Sequence, residues 1–447
     1  MQLETEPGWA DRLRSSRMLR LMGIGVLALL LLIPIARIGS LVSERQERAA
    51  AAAEEVASKW GGRQVLVGPA LVVPYDRSVE GAGAGDQPAS VRPGHLVFLP
   101  RRLNVEGTLK SEVRSRGIFA VPVYRLDLRV DGDFGPLDPA ALGADPALAD
   151  WSRASLVVAI SDVRAVQQQT EIDFAGARGS FLPGTAGMPG LESGIHAPVV
   201  VDPAAGEHSF SFPLQLNGSV ALHLAPVAET TVVQLVSDSP HPSFQGNWLP
   251  TERTVGADGF EARWEVPFLG RNFPQSWTDQ SAPGSAIAQS LLGTELVEPV
   301  DAYAMAKRSL KYAGLFILLT FALVWLIEIL GQVRVHPIQY LLLGAALCLF
   351  YLLELSLAEH LGFAAAYGLA SLAVVGMVAG YAWVIFHRLR RTATVAGAVA
   401  GLYGYLYILL SNEDYALLMG SIGLFAILGG IMFATRRVEW SRPVPAT

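Results

Sequence analysis

The stretch HPIQYLLLGAALCLFYLLELSLAEH, His336 to His360, limits what this chain can fold into more than any other. From Ile338 to Leu357 it has twenty residues and one charge, Glu354. Wound as a helix rising about 1.5 Å per residue, such a run crosses a hydrocarbon core about 30 Å thick. It stands inside a longer apolar block, residues 312–434, which divides into runs at 312–330, 338–357, 363–386, 393–410 and 415–434. A further apolar run, 21–38, broken only by Pro34 and Arg37, follows Arg12, Arg14, Arg17 and Arg20. Six spanning helices are expected, one near the amino terminus and five near the carboxyl terminus.

Composition agrees with that class. Hydrophobic residues make up 51% of the 447 and charged residues only 17%, against about 25% charged in an average soluble domain. The net charge of −6 comes with no basic stripe or face, so nucleic acid is excluded as a partner. A single cysteine, Cys348, rules out an internal disulfide, a CxxC redox pair and a Cys-based zinc cage.

The first apolar run reads either as a signal anchor or as a cleaved signal peptide. Its length near eighteen residues, the lack of an A-x-A site and the helical segment SERQERAAAAAEEVASKW directly after it favour an uncleaved anchor, 21–41. Basic clusters set the orientation: Arg12 to Arg20 before the first span, Arg334 between the second and third, Arg388, Arg390 and Arg391 between the fourth and fifth, and Arg436-Arg437 after the sixth. All fall on one side, which the positive-inside rule makes cytoplasmic, while the turns AEHLG and SNED are acidic or neutral. Residues 1–20 and the tail 435–447 are therefore expected in the cytoplasm, and 42–311 outside it. Lys307, Arg308 and Lys311 lie on the outer side, but they end a long domain, and long domains translocate largely regardless of charge.

That exported region, about 270 residues, opens with an alanine-rich helix at 43–60 that continues the anchor. Beyond Gly61-Gly62 short runs rich in Val, Leu and Tyr alternate with Gly, Pro and Asp, as in QVLVGPALVVPY, HLVFLP, HSFSFPLQL and TTVVQLV. Tyr124, Leu126, Leu128 and Val130 alternate with Arg125, Asp127 and Arg129, the period-two signature of a half-buried strand. The fold expected is a membrane α-helical bundle carrying a large, β-rich periplasmic domain of sandwich type. Residues 79–88, VEGAGAGDQP, read as a loop, and 132–150 as a Pro- and Ala-rich connector with one short helix.

The His336–His360 stretch, the preceding RSLKYAGLFILLTFALVWLIE, and the pieces WGGRQVLVGPALVVPY, RSRGIFAVPVY, HPSFQGNWLP, GFEARWEV and EPVDAY resemble the CreD family of bacterial inner-membrane proteins. The likeness runs over nearly the whole chain, and its most specific part is the His-Pro-x-Gln-Tyr to Glu-His segment. It implies a cell-envelope integrity protein of Gram-negative bacteria, linked to colicin tolerance and to the response to cell-wall stress and β-lactams. It brings no reaction with it. The family pattern carries an apolar residue where this chain has Glu354, a departure that weighs against a role for Glu354.

Ionisable residues within spans cost a few kcal/mol in hydrocarbon and are functional candidates for that reason. By depth, Glu328 belongs near the cytoplasmic face, with Arg334 and His336 as its candidate partners; His336 and Gln339 mark the cytoplasmic end of the next span, and Tyr340 beside them is a further candidate interaction residue. Glu354, Glu359 and His360 belong near the outer face with Glu413 and Asp414. No ionisable residue interrupts the interiors of the last three spans, so a titratable relay is missing and a proton-coupled transporter is disfavoured. Neither Glu354 nor His336 lies at a helical spacing from His360 that would assemble a metal site. Gly376 and Gly380, and Gly397 and Gly401, form two GxxxG pairs, which suit packing within the bundle, a second copy of the chain or a partner helix.

In the exported region His241, Phe244 and Trp248 lie in HPSFQGNWLP and, with Phe260 and Trp264, suggest an aromatic corner or a face for glycan or protein. G-x-S-x-G, HExxH, P-loop and dinucleotide motifs do not occur, so no catalytic residue, metal or cofactor is assigned. Two readings remain. One is a non-enzymatic envelope protein whose β domain binds a periplasmic protein or cell-wall component; the other is a transporter or flippase whose β domain receives substrate. A periplasmic enzyme is a weaker third.

Overall fold

The structure, a computed structural model, describes residues 17–79, 90–296, 302–331, 333–412 and 415–436. Two compact units emerge, Met1–Ala50 with Val300–Thr447, and Ala51–Pro299. The loop expected at 79–88, Arg12 and Arg14 of the amino-terminal basic cluster, the acidic turn residues Glu413 and Asp414, and Arg437 with the tail lie outside the described residues, save Val79 at a strand end.

Eight helices appear among the described residues: α1 (Arg17–Trp60), α2 (Gly284–Ala288), α3 (Ala302–Lys311), α4 (Ala313–Gly331), α5 (Pro337–Leu361), α6 (Phe363–Phe386), α7 (Leu389–Ser411) and α8 (Ala416–Thr435). Six of them, α1 and α4 to α8, are long and apolar enough to span a membrane. The anchor and the alanine-rich segment form one helix of 44 residues with Pro34 inside it.

In the helical unit α5 is the central element. Tyr340, Leu343, Leu347, Phe350, Tyr351 and Leu355 recur at three- and four-residue intervals on it, and all are buried. The anchor belongs to this core: Leu31 and Ile35 are buried against Phe321 of α4 and against α5. The approach depends on Gly344, where an added Cβ would stand 2.1 Å from Leu31 Cδ1 and 2.9 Å from Phe321 Cζ. Between α5 and α6 the chain reverses at Gly362, whose φ of 76° is a backbone conformation that residues with a Cβ rarely adopt. The short helix α3 crosses one end of the bundle, with Ala306 packed on Val42 of α1 and Leu355 of α5. At the other extreme of order, α8 buries no residue.

The second unit is two sheets around one core. The first has eight strands in the order Glu252–Gly256, Gly259–Pro267, Thr230–Ser237, Arg102–Arg116, Phe119–Phe134, His208–Ser219, Glu171–Phe174 and Ala177–Ser180. All neighbours are antiparallel except the parallel pair Thr230–Ser237 and Arg102–Arg116. Alternation decides what is buried here: Leu126, Leu128 and Val130 point inward and Arg125, Asp127 and Arg129 outward.

The nine-stranded sheet orders Pro242–Gly246, Leu292–Leu296, Ala221–Leu224, Gln64–Val79, Ser155–Ile160, Gly194–Pro198 and Leu182–Pro183, with Ser90–Phe98 paired to the far half of Gln64–Val79 and Ser276–Thr278 paired in turn to Ser90–Phe98. Ser155–Ile160 is buried at all six positions, covered on both faces, and so reads as a continuous apolar run rather than an alternating one. The connector expected to hold one helix has two 3₁₀ turns instead, at Ala140–Leu142 and Pro146–Leu148, and a third follows it at Trp151–Arg153. Pro139 and Pro146 fix φ at their starts and have no N–H to continue a longer helix.

Candidate functional site

Three carboxylates of the helical unit are held by side chains from other helices. Glu328, near the end of α4, accepts hydrogen bonds from Arg20 Nη1 of α1 at 3.0 Å and from the Tyr340 hydroxyl of α5 at 3.0 Å. The aromatic edge of Tyr340 stands against Phe321, ring centroids 5.4 Å apart. Depth suggested Arg334 and His336 as the partners; the structure supplies Arg20 and Tyr340 instead, and Arg334 is exposed in the connector. His336 and Gln339 pair with each other's segment as a helix cap. His336 Nδ1 accepts from Ile338 N at 3.3 Å, and Gln339 Oε1 accepts from His336 N at 2.9 Å. Pro337 follows in the first turn, where its missing N–H costs nothing.

Toward the α3 end, Glu359 accepts from the Tyr303 hydroxyl at 3.1 Å and stands 3.7 Å from Arg45 Nε. Lys307 Nζ of α3 donates to Gln46 of α1 at 2.7 Å nearby. His360 is exposed at the helix end, turned away from its neighbour Glu359. The meeting of this pair with Glu413 and Asp414 lies outside the described residues.

Between these two ends sits Glu354, 1% exposed. Depth along the span puts it toward the outer face; the structure adds that it is buried in the packed interior of the helical unit, against α3. Ser309 Oγ of α3 donates to its Oε2 at 3.0 Å, while Oε1 and the nearby Tyr351 hydroxyl have no hydrogen-bond partner among the described residues. Tyr351, Tyr367 and Tyr403 lie within electrostatic reach of the carboxyl group. Phe350 links their rings, at 5.0 Å from Tyr351, 5.3 Å from Tyr367 and 4.3 Å from Tyr403. Tyr367 donates to the Tyr403 carbonyl at 2.7 Å, tying α6 to α7. A carboxyl group so placed costs a few kcal/mol unless it is hydrogen-bonded, and Ser309 is what offsets the cost. Ser309 was not singled out from sequence, Arg20 only as one charge of a topology-setting cluster, and Glu354 was weighed there and discounted. The signal for Glu354 was present, since it follows Phe350 and Tyr351 by four and three residues and so shares their buried face.

The four glycines of the GxxxG pairs, Gly376, Gly380, Gly397 and Gly401, are exposed, and a Cβ at any of them would meet nothing within 4 Å. Packing within the bundle is therefore not their role: helix contacts use Val374 and Val378, and Val395 and Val399, instead.

In the β-rich unit Phe244 meets Phe260 and Trp264 edge-on, at 5.6 and 5.8 Å, with the Arg253 guanidinium 5.8 Å from its ring. Trp264 Nε1 donates to the Trp248 carbonyl at 3.1 Å, and Trp248 Nε1 to Ser290 Oγ at 3.5 Å. Phe260 and Trp264 are core; Phe244 and Trp248 are half-buried over them, and His241 is exposed. A second polar knot, on the same unit, buries Arg271. Its guanidinium donates to the carbonyl of Val227 and to Gln275 Oε1, and lies 5.0 and 4.6 Å from the rings of Phe268 and Phe273. Burial pushes its pKa down to about 10. Among the described residues no group of three or more His, Cys, Asp or Glu is placed to hold a metal ion.

The architecture is that of a polytopic membrane protein: a six-helix bundle with its polar groups tied between helices, and a large two-sheet β unit inserted after the first span. Residues 16–441 match the family model described as inner membrane protein CreD. The chain is 31% identical over 417 residues to inner membrane protein CreD of Escherichia coli (strain K12), covering 92% of this chain and 91% of that one. This chain belongs to the CreD family of inner-membrane proteins. Among solved structures, native yeast LTA4 hydrolase aligns with 63% of this chain and 52% of its own at 8% identity, with a TM-score of 0.20, too low to imply a shared fold.

Proposed function

We propose that this inner-membrane protein supports cell-envelope integrity and the response to envelope or cell-wall stress, including β-lactams and colicins, and that it acts by binding rather than by catalysis. The β-rich unit lies in the periplasm and recognises a protein or cell-wall component there, and the bundle holds it at the membrane. One observation carries the reading. Glu328, Glu354 and Glu359 are each engaged by a residue of another helix, so the membrane carboxylates act as ties that hold a fixed bundle. A transporter would present such groups to a polar path, whereas the cleft among these spans is lined mostly by apolar side chains and by no carboxylate.

For the orientation, Arg20 meets Glu328 and Arg391 Nη2 donates to the Gly331 carbonyl at 3.1 Å, so both basic clusters gather at the end where α4 stops. That end is cytoplasmic by the positive-inside rule, with both termini. A reporter fused after Arg391 is active only in the cytoplasm; periplasmic activity there sinks the topology. Photo-crosslinkers at His241, Leu249 and Val255, exposed positions in or beside edge strands, capture a discrete periplasmic component in living cells. Adducts no different from those of a probe at Arg129 overturn the binding role. The open glycine faces of α6 and α7 extend the proposal to a second copy of the chain, docked through Gly376, Gly380, Gly397 and Gly401.

A further inference from the structure

A cleft of about 290 Å³ opens between the α3-end halves of α4, α7 and α8. Leu315 and Leu319 line one wall, Leu402 and Leu409 another, and Leu417 and Leu424 the third. Two of its three hydroxyl groups are already used: Tyr405 donates to the Met419 carbonyl and Ser421 to the Leu418 carbonyl at 2.9 Å. Apart from the Tyr312 hydroxyl at one end, what the cleft presents is therefore carbon. A water takes about 30 Å³ and needs two to four polar partners, so the ten or so waters that would fill this volume have nothing to hold them. An unfilled cleft would forfeit the dispersion contacts of its whole lining.

The helix that closes the cleft is lightly held. α8 buries no residue, and its contact with α7 centres on the Tyr405 hydroxyl, for which Gly423 leaves room, since a Cβ there would stand 2.4 Å from it. Leu417 is 88% exposed and Leu424 48%, so the cleft is continuous with the surface that faces the bilayer. At its mouth Tyr312 follows Lys311, an exposed ammonium in the last turn of α3 with no acidic partner among the described residues.

We propose that the cleft is a binding site for one phospholipid of the surrounding bilayer. One acyl chain lies along Leu402, Leu409 and Leu424, and the phosphate meets Lys311. The apolar lining matches a hydrocarbon chain, the lateral opening lets it enter from the membrane without crossing water, and the cation matches the phosphodiester charge.

The test uses the full chain in vesicles of phosphatidylethanolamine and phosphatidylglycerol containing a phospholipid with a diazirine on one acyl chain. After photolysis, adducts on Leu402, Leu409 and Leu424 should exceed those on Leu372 and Met377, exposed on α6 away from the cleft, by about ten-fold, the ratio given by ~1.4 kcal/mol of preference. Gly420→Leu fills the cleft, because a Cβ there meets nothing within 4 Å, and should bring cleft adducts down to the α6 level. Leu417→Trp does the same from an exposed position should the first variant fail to fold. Lys311→Ala should lower capture of the phospholipid but not of a diazirine diacylglycerol, which has no phosphate. Equal labelling of cleft and α6, or labelling indifferent to both filling variants, overturns the site; phospholipid capture unchanged by Lys311→Ala overturns the choice of phospholipid as occupant.

Discussion

Removing the Ser309 hydroxyl while leaving Glu354 in place isolates the cost of a buried carboxyl group in this bundle. Glu354 is 1% exposed and accepts its hydrogen bond from Ser309 at 3.0 Å, with Oε1 unpartnered. Ser309→Ala leaves both oxygens without a donor. Hydrogen bonds between membrane helices are worth about 0.6 kcal/mol on average and about 1.7 at most, and orphaning a buried acceptor costs about 1–3 kcal/mol. The expected loss is about 1–2 kcal/mol, a five- to thirty-fold fall in the folded-to-unfolded ratio. Glu354→Leu removes the carboxyl group and keeps an apolar side chain of similar size among Phe350, Tyr351 and Leu355, so it should be neutral or stabilise by about 1 kcal/mol. In that background Ser309→Ala should cost almost nothing, a non-additivity that a double-mutant cycle measures. The readout is built into the chain: Cys348 is its one cysteine and is 5% exposed in the same core. Heating the full chain in detergent with a fluorogenic maleimide therefore reports opening of this unit alone. Ser309→Ala with an unchanged midpoint, or Glu354→Leu as damaging as Ser309→Ala, would refute the reasoning.

The same thiol assay should show Tyr340→Phe lowering stability by about 1 kcal/mol, by removing one of Glu328's two donors. Arg20→Ala should cost less than Tyr340→Phe, because the Arg20 side chain is 43% exposed and the pair is partly screened. In the β-rich unit burial, and then the Arg63 charge, hold the pKa of His223 below the usual imidazole value, against the opposing pull of Glu295. Its unfolded form takes up a proton first as pH drops through about 6.5, so stability should fall from there down to the folded pKa and then level. His223→Leu should flatten that slope in urea midpoints of the full chain followed by fluorescence of the buried Trp264 and Trp277; an identical slope counts against it. Arg271→Lys should lower the same midpoint by about 1.5–3 kcal/mol, since an ammonium group cannot serve Val227 and Gln275 together while stacked on Phe268 and Phe273. A neutral Arg271→Lys would show that charge alone matters there.

Span number and fold class were legible because each depends on local pattern. Twenty apolar residues cross a bilayer whatever surrounds them, and a strand with alternating Leu and Arg has one wet face wherever it pairs. Pairing across the chain was not legible. Glu328's donors are Tyr340, twelve residues away, and Arg20, 308 residues away in sequence, whereas a rule based on depth favoured the nearer Arg334 and His336. The glycine pairs show the same limit from the other side. Gly376 and Gly380 share a face by spacing, yet spacing does not say whether that face meets a helix, and the packed face of α6 is the one bearing Val374 and Val378.

By itself, the amino-acid sequence determined that this is a membrane protein with one span before and five after a β-rich region, and its family likeness rested on the same stretches. Hydrophobic length and periodicity are properties of each segment, so no partner is needed to read them. Only the tertiary structure decided that α5 is the centre of the bundle, that Glu354 is buried and held by Ser309 of α3, and that an apolar cleft separates α8 from α4 and α7. Burial and hydrogen bonding belong to pairs of segments, and which segments meet is settled by how whole helices pack.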